Sequence, residues 1–219
     1  MLLKNLYNID VTQRKELDKM VKEHTRESIP VLQPQQPSND IISVLETRNI
    51  NFNKQFTQEF CDEVIELLDK VQVYDELTNR EKYIRITLST PGGSIFALFG
   101  LLEKIEKLKS KGYTVHTHCK SMAASCGFVL FVSGNKRTIS PFGFLLNHQG
   151  SSMMGGTVRD MEISLELTKK LEKQINDYIR TNTELSEDEI QRPYRTNTDI
   201  WYTAQEALDL KLASEIISY

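Results

Sequence analysis

From about residue 40 onward, the apolar positions fall into strand-like alternations and helical stripes that follow one another in turn. IISVL, at 41–45, reads as a strand, and Phe56, Phe60, Val64, Ile65, Leu68 and Val71 then share one face of a helix over about 56–73. YIRITL alternates Ile84, Ile86 and Leu88 as a second strand running into STPGGS, and Ile95, Leu98, Phe99, Leu102 and Ile105 mark the next helix. Gly112 punctuates the entry to a third strand, YTVHTHC. Strand, helix and strand joined by so long a crossover imply parallel pairing. The run GFVLFVS, 127–133, is apolar throughout and predicts a buried helix. RTIS and FGFLLNH predict two short strands joined by a turn at Pro141, and the Gly/Ser-rich QGSSMMGGT after them reads as mobile or strand-like.

The longest helix is expected over about 158–182, with Met161, Leu165, Leu171, Ile175 and Ile179 set among charges. Its length of about 37 Å exceeds what one small core requires. It is therefore expected to project and pack against a neighbouring subunit, the alternative being a surface-wrapping helix with a solvated face. In TDIWYTAQEALDLKLASEI, Thr203 and Glu206 have the spacing of a capping box opening a short helix, and a final strand follows.

Upstream of residue 40 the pattern changes. Ile9, Val11, Leu17, Met20 and Val21 suggest a short amphipathic helix, and Pro30, Pro34 and Pro37 then make an extended linker. Residues 1–40 are read as an N-terminal extension and 41–219 as one domain. A chain of 219 residues, 39% hydrophobic and 26% charged, suits that division. Its 27 basic and 30 acidic residues, net charge -3, argue against a nucleic-acid partner. No apolar run approaches the roughly 20 residues that span a bilayer, and the N-terminus becomes charged too early for a secretory signal, so a cytoplasmic setting without membrane contact is expected. Cys61, Cys119 and Cys126 lack a CxxC spacing and read as reduced core thiols. His24, His116, His118 and His148 form no HExxH pattern, so neither a metal nor another cofactor is expected.

The candidate chemistry lies between Ser121 and His148. Ser125 is flanked by Ala123, Ala124, Cys126 and Gly127, small residues that leave room for a substrate. A serine hydroxyl attacks only when a neighbouring base takes its proton. Placed at the start of the apolar helix, it would lie beside free backbone N–H groups suited to an oxyanion. His148, at the end of the last predicted strand, can turn toward it. Pro91-Gly92-Gly93 would lie at a neighbouring strand end, where active groups of open α/β folds gather. Each feature also has a plain structural reading: a small-residue contact for AAS, a tight turn for PGG, an edge residue for His148 and a solvated loop residue for Asp199.

Taken together, the PGG turn, MAAS, NHQG and the late D-x-W-x-T-A-x-E-A segment stand in the order Ser, His, Asp. Over about residues 41–217 the chain resembles the Clp-type serine peptidases, the caseinolytic protease proteolytic subunit family. The resemblance implies an α/β fold of the ClpP/crotonase-like kind, with repeated βαβ units and a projecting handle helix. It implies an ATP-dependent serine endopeptidase with Ser125 as nucleophile, His148 as general base, Asp199 as third triad member, and the Gly93 and Cys126 N–H groups as oxyanion hole. Unfolded proteins or peptides would be cleaved inside a homo-oligomeric chamber, a heptameric ring or double ring, with an AAA+ unfoldase as a partner.

The match departs at Ser121, in the segment where the family has glycine, and at Thr198, where an arginine commonly precedes the catalytic aspartate. The N-terminal segment does not resemble the family's axial loop. Such divergence suits a specialised homologue, a viral one included, and motivates the alternative of a catalytically silent assembly subunit. An acyl-CoA enzyme of the crotonase kind would give the three residues no joint role, and a Ser/Lys dyad using Lys120 explains less than His148 does.

Overall fold

The computed structural model describes residues 40–151 and 155–217. The chain divides into two units at Ser38/Asn39, and the expected amphipathic helix and proline linker of the first unit lie outside the described residues. The second unit opens with a correction. IISVL is not a strand: Ile41–Thr47 form helix α1, because Asp40 occupies the N-cap and accepts from the Ser43 N–H at 3.0 Å. Five apolar and small residues carry no decisive period, and the cap settles the choice. Arg48, at φ 57°, ends the helix, and the first strand is β1, Asn49–Phe52, where Ile50 and Phe52 alternate inward.

Helix α2 spans Gln58–Thr78, capped by Thr57 and closed by Asn79 in the left-handed region. It starts after Phe56, whose backbone is engaged elsewhere, and it runs past the expected end. β2 (Tyr83–Thr90), α3 (Ile95–Ser110), β3 (Thr114–Ala124) and α4 (Cys126–Val132) follow as the apolar pattern predicts. β4 (Lys136–Ile139) and β5 (Phe144–Asn147) are the two short strands, and α5 covers Val158–Asn182. Two short helices absent from the sequence reading come next, α6 (Glu187–Ile190) and α7 (Arg192–Thr196). β6 (Ile200–Thr203), α8 (Ala204–Asp209) and β7 (Glu215–Ile216) complete the described chain. The Thr203–Glu206 capping box opens α8.

The sheet runs β1-β2-β3-β4-β7 with every pair parallel. β3 divides its partners along its length: His116–Cys119 pair with β4, and Met122–Ala124 pair with β5. β6 then lies antiparallel on β5. The result is a mixed α/β fold of parallel βαβ units. Ile84, Ile86, Leu88 and Val115 of the sheet form one core with Val64, Leu68, Leu98, Leu101, Phe128 and Phe131 of the helices. In α5 only Asn176 and Ile179 are buried, and the earlier part exposes Val158, Met161, Ile163, Leu165 and Leu167.

Polar side chains occupy the alternate positions of β2, β3 and β4. His116 lies 2.6 Å from the Tyr83 hydroxyl through Nδ1 and 2.7 Å from Thr138 Oγ1 through Nε2, and His118 Nδ1 lies 2.9 Å from the same Oγ1. Burial, reinforced by the Arg85 charge and by Lys136 for His116 and Lys120 for His118, pushes both imidazoles down to about 4. The native state thus resists protons that the unfolded chain accepts near pH 6.5. Above that pH these histidines cost nothing; as pH falls from 6.5 toward 4 the unfolded state gains protons first and stability declines. Denaturant midpoints measured from pH 7.5 to 4 are expected to fall across this window, and less steeply in His118→Asn. A flat profile over the window would contradict the assignment.

Candidate active site

Four strand ends, those of β2, β3, β5 and β6, carry the residues singled out in the sequence. Ser125 joins β3 directly to α4 with φ 57° and ψ -121°, a conformation sparsely populated by residues with a Cβ and characteristic of functional turns. Its N–H donates to the Leu146 carbonyl of β5 at 3.0 Å, and its own carbonyl accepts from Phe128 and Val129 as α4 begins. The serine is thereby lifted off the strand beside β5. The N–H groups of Cys126 and Gly127 precede these bonds, in the first turn of α4, where the helix itself offers no carbonyl partner. Gly127 is required for packing, since a Cβ there would come within 2.7 Å of Thr90 Cγ2.

His148 is the first residue past β5 and Asp199 the last before β6. Because β5 and β6 pair antiparallel with Asn147 opposite Ile200, the next rung sets His148 opposite Asp199. His148 Nδ1 lies 3.7 Å from Asp199 Oδ1, within ion-pair range and longer than a hydrogen bond. The Asp199 side chain is 60% exposed and that of His148 24%. Among the described residues no hydrogen bond joins the Ser125 hydroxyl to His148. The fold therefore gathers all three at adjacent strand ends without connecting them into one hydrogen-bonded chain.

The diglycine lies against the serine turn. A Cβ on Gly92 would stand 2.6 Å from Ser125 Cβ and 2.7 Å from the Ala124 carbonyl, and φ of 98° and 146° place Gly92 and Gly93 where side chains are disfavoured. Phe56, which the sequence reading treated only as helix core, pins this loop: its N–H donates to the Gly92 carbonyl at 2.8 Å and its carbonyl accepts from Ser94 at 2.9 Å. With the Gly92 carbonyl held on one side, the planar trans peptide points the Gly93 N–H the other way. Thr90, fully buried, accepts from the Gly92 N–H and donates to the Lys54 carbonyl at 2.7 Å. Phe56 and Thr90 carry no local signal of these roles, since their partners are fixed by tertiary packing.

Cys126 Sγ donates to the Gly93 carbonyl at 3.2 Å, and burial pushes its thiol up to about 11. All three cysteines are free and buried. Ser121 Oγ lies 2.6 Å from Ser89 Oγ on β2, and Lys120 is exposed on β3. Among the described residues there is no group of three His, Cys, Asp or Glu side chains arranged for a metal, and no helix is long and apolar enough to cross a membrane.

Parallel βαβ units, a serine on a strand-to-helix turn packed against a diglycine loop, and a histidine at the end of the neighbouring strand are features compatible with an α/β serine hydrolase. The model of the Clp protease family matches residues 32–219, and the chain belongs to that family. Among curated relatives, the ATP-dependent Clp protease proteolytic subunit of Bacteroides fragilis is 29% identical over 189 residues, 80% of this chain and 89% of the relative. Proteolytic subunit 1 of Shouchella clausii is 31% identical over 183 residues, 82% and 90% of the two chains. Proteolytic subunit 2 of Bifidobacterium longum is 31% identical over 163 residues, 67% and 76%. The protein is thus a Clp-type serine peptidase, a hydrolase of peptide bonds.

Proposed function

We propose that Ser125 attacks the scissile carbonyl while His148 takes its proton and returns it to the leaving amine, Asp199 steadying the imidazolium. Water then releases the acyl group from Ser125. The Gly93 and Cys126 N–H groups would each contribute about 3 kcal/mol to the oxyanion. The observation that carries this reading is the packing of Gly92 onto Ser125, which sets one candidate donor loop directly beside the candidate nucleophile.

Unfolded polypeptides would be the substrates, cleaved within a ring or double ring of identical subunits. The exposed apolar residues of α5 suit a subunit contact, and the relatives' name, ATP-dependent proteolytic subunit, supports an AAA+ unfoldase as partner. Residues 1–40 would serve as a regulatory arm, a scaffold-targeting segment or a removable propeptide. Three buried free thiols fit a reducing, cytoplasmic compartment. The 3.7 Å His148–Asp199 separation and the unlinked Ser125 favour one second reading, a subunit kept for assembly alone.

Fluorophosphonate labelling, with the mass of the assembly recorded on the same sample, separates the two. Labelling of a large assembly at Ser125 is expected. An equally large assembly that takes no label would replace the catalytic reading by the architectural one.

A further inference from the structure

The mechanism above uses only the backbone of Cys126. Its side chain is nevertheless 6% exposed and donates to the Gly93 carbonyl, and the Ser125 side chain lies close enough to favour the thiolate form. The sulfur therefore sits between the nucleophile's turn and the diglycine loop.

That loop needs holding, because glycine peptides rotate at little steric cost. Three contacts fix the two peptide units that meet at Gly93. Phe56 N–H binds the Gly92 carbonyl, the Phe56 carbonyl binds Ser94 N–H, and the thiol binds the Gly93 carbonyl. Two of these come from the segment before α2. The third comes from the residue that carries the second candidate oxyanion donor.

We propose that Cys126 is a positioning residue of this peptidase, its thiol coupling the Gly93 peptide to the Ser125–Cys126 turn so that the two N–H donors keep a common spacing for the oxyanion. The inference rests on the serine-peptidase reading of the site. Burial keeps the thiol protonated through the neutral range, so it donates and is not itself the nucleophile. Donor spacing matters most when negative charge develops, so its loss acts on kcat rather than on KM.

The test is hydrolysis of a short fluorogenic peptide by the full-chain assembly, comparing wild type with Cys126→Ala and Cys126→Ser and recording denaturant midpoints. Cys126→Ala is expected to lower kcat about fivefold, the equivalent of one neutral hydrogen bond, with KM unchanged. Cys126→Ser, whose hydroxyl can donate, is expected to return to within about twofold of wild type. Both variants remove the bulk of the sulfur, so a packing role would impair them alike. Equal impairment of the two, wild-type kcat in Cys126→Ala, or an effect confined to KM overturns the inference while leaving the peptidase reading intact. A wild-type assembly that neither hydrolyses the peptide nor takes a fluorophosphonate overturns that reading and the inference with it. Should Cys126→Ala not fold, the Ser and Val variants carry the same comparison.

Discussion

Replacing Ser125 with alanine is expected to reduce peptide hydrolysis to background, a loss in kcat on the order of 10⁵-fold or more by analogy with the removal of a triad nucleophile elsewhere. No other group at the site can replace it. Cys126, the adjacent nucleophilic atom, is held protonated by burial and engaged with the Gly93 carbonyl. The variant should fold as the wild type does. The serine side chain makes no capping bond to α4, and the alanine Cβ occupies the place of the serine Cβ at φ 57°. Steady-state hydrolysis and a thermal unfolding curve on the same preparation check both halves. Activity within about tenfold of wild type, with stability unchanged, would move the nucleophile to another residue.

Gly92→Ala is expected to have the second-largest effect, and it acts through position rather than chemistry. The added methyl would meet Ser125 Cβ at 2.6 Å, the Ala124 carbonyl at 2.7 Å and the Cys126 nitrogen at 3.2 Å. None of these atoms is the free end of a flexible side chain, so the loop and the serine turn must separate. A displacement of about 1 Å at the reacting groups costs roughly 10²-fold in rate. Strain from overpacking and from φ of 98° adds a destabilisation of about 1–3 kcal/mol. Gly155→Ala is the control, since among the described residues a Cβ there meets nothing within 4 Å and φ is not positive. A Gly92→Ala enzyme with wild-type kcat would show that the diglycine does not set the geometry of the reaction. Loss of activity in both variants would point instead to a general sensitivity of the fold.

Much of the secondary structure was legible because its causes are local. The helix expected at 158–182 is α5, since its stripe and its boundaries depend on near neighbours. The Thr203–Glu206 box spans one turn and opens α8 as read. IISVL failed for the converse reason: five residues without a clear period are decided by a cap, and Asp40 supplied it. β1 escaped notice because NINF offers only two inward apolar residues, and its pairing with β2 comes from residues 36 positions away.

The chain's order of PGG, Ser, His and Asp, and its alternation of strand and helix, are written in the sequence, because composition and period along one segment express them. The neighbourhood of the site is not. Ser125 stands beside β5 because β3 exchanges one parallel partner for another along its length, and His148 faces Asp199 because β5 and β6 pair in one particular register. Phe56 holds Gly92, and Cys126 holds Gly93, across sequence distances over which neither period nor propensity carries information. Local pattern determined which groups were available; packing of a single core around the split sheet decided which of them meet, and at what distance.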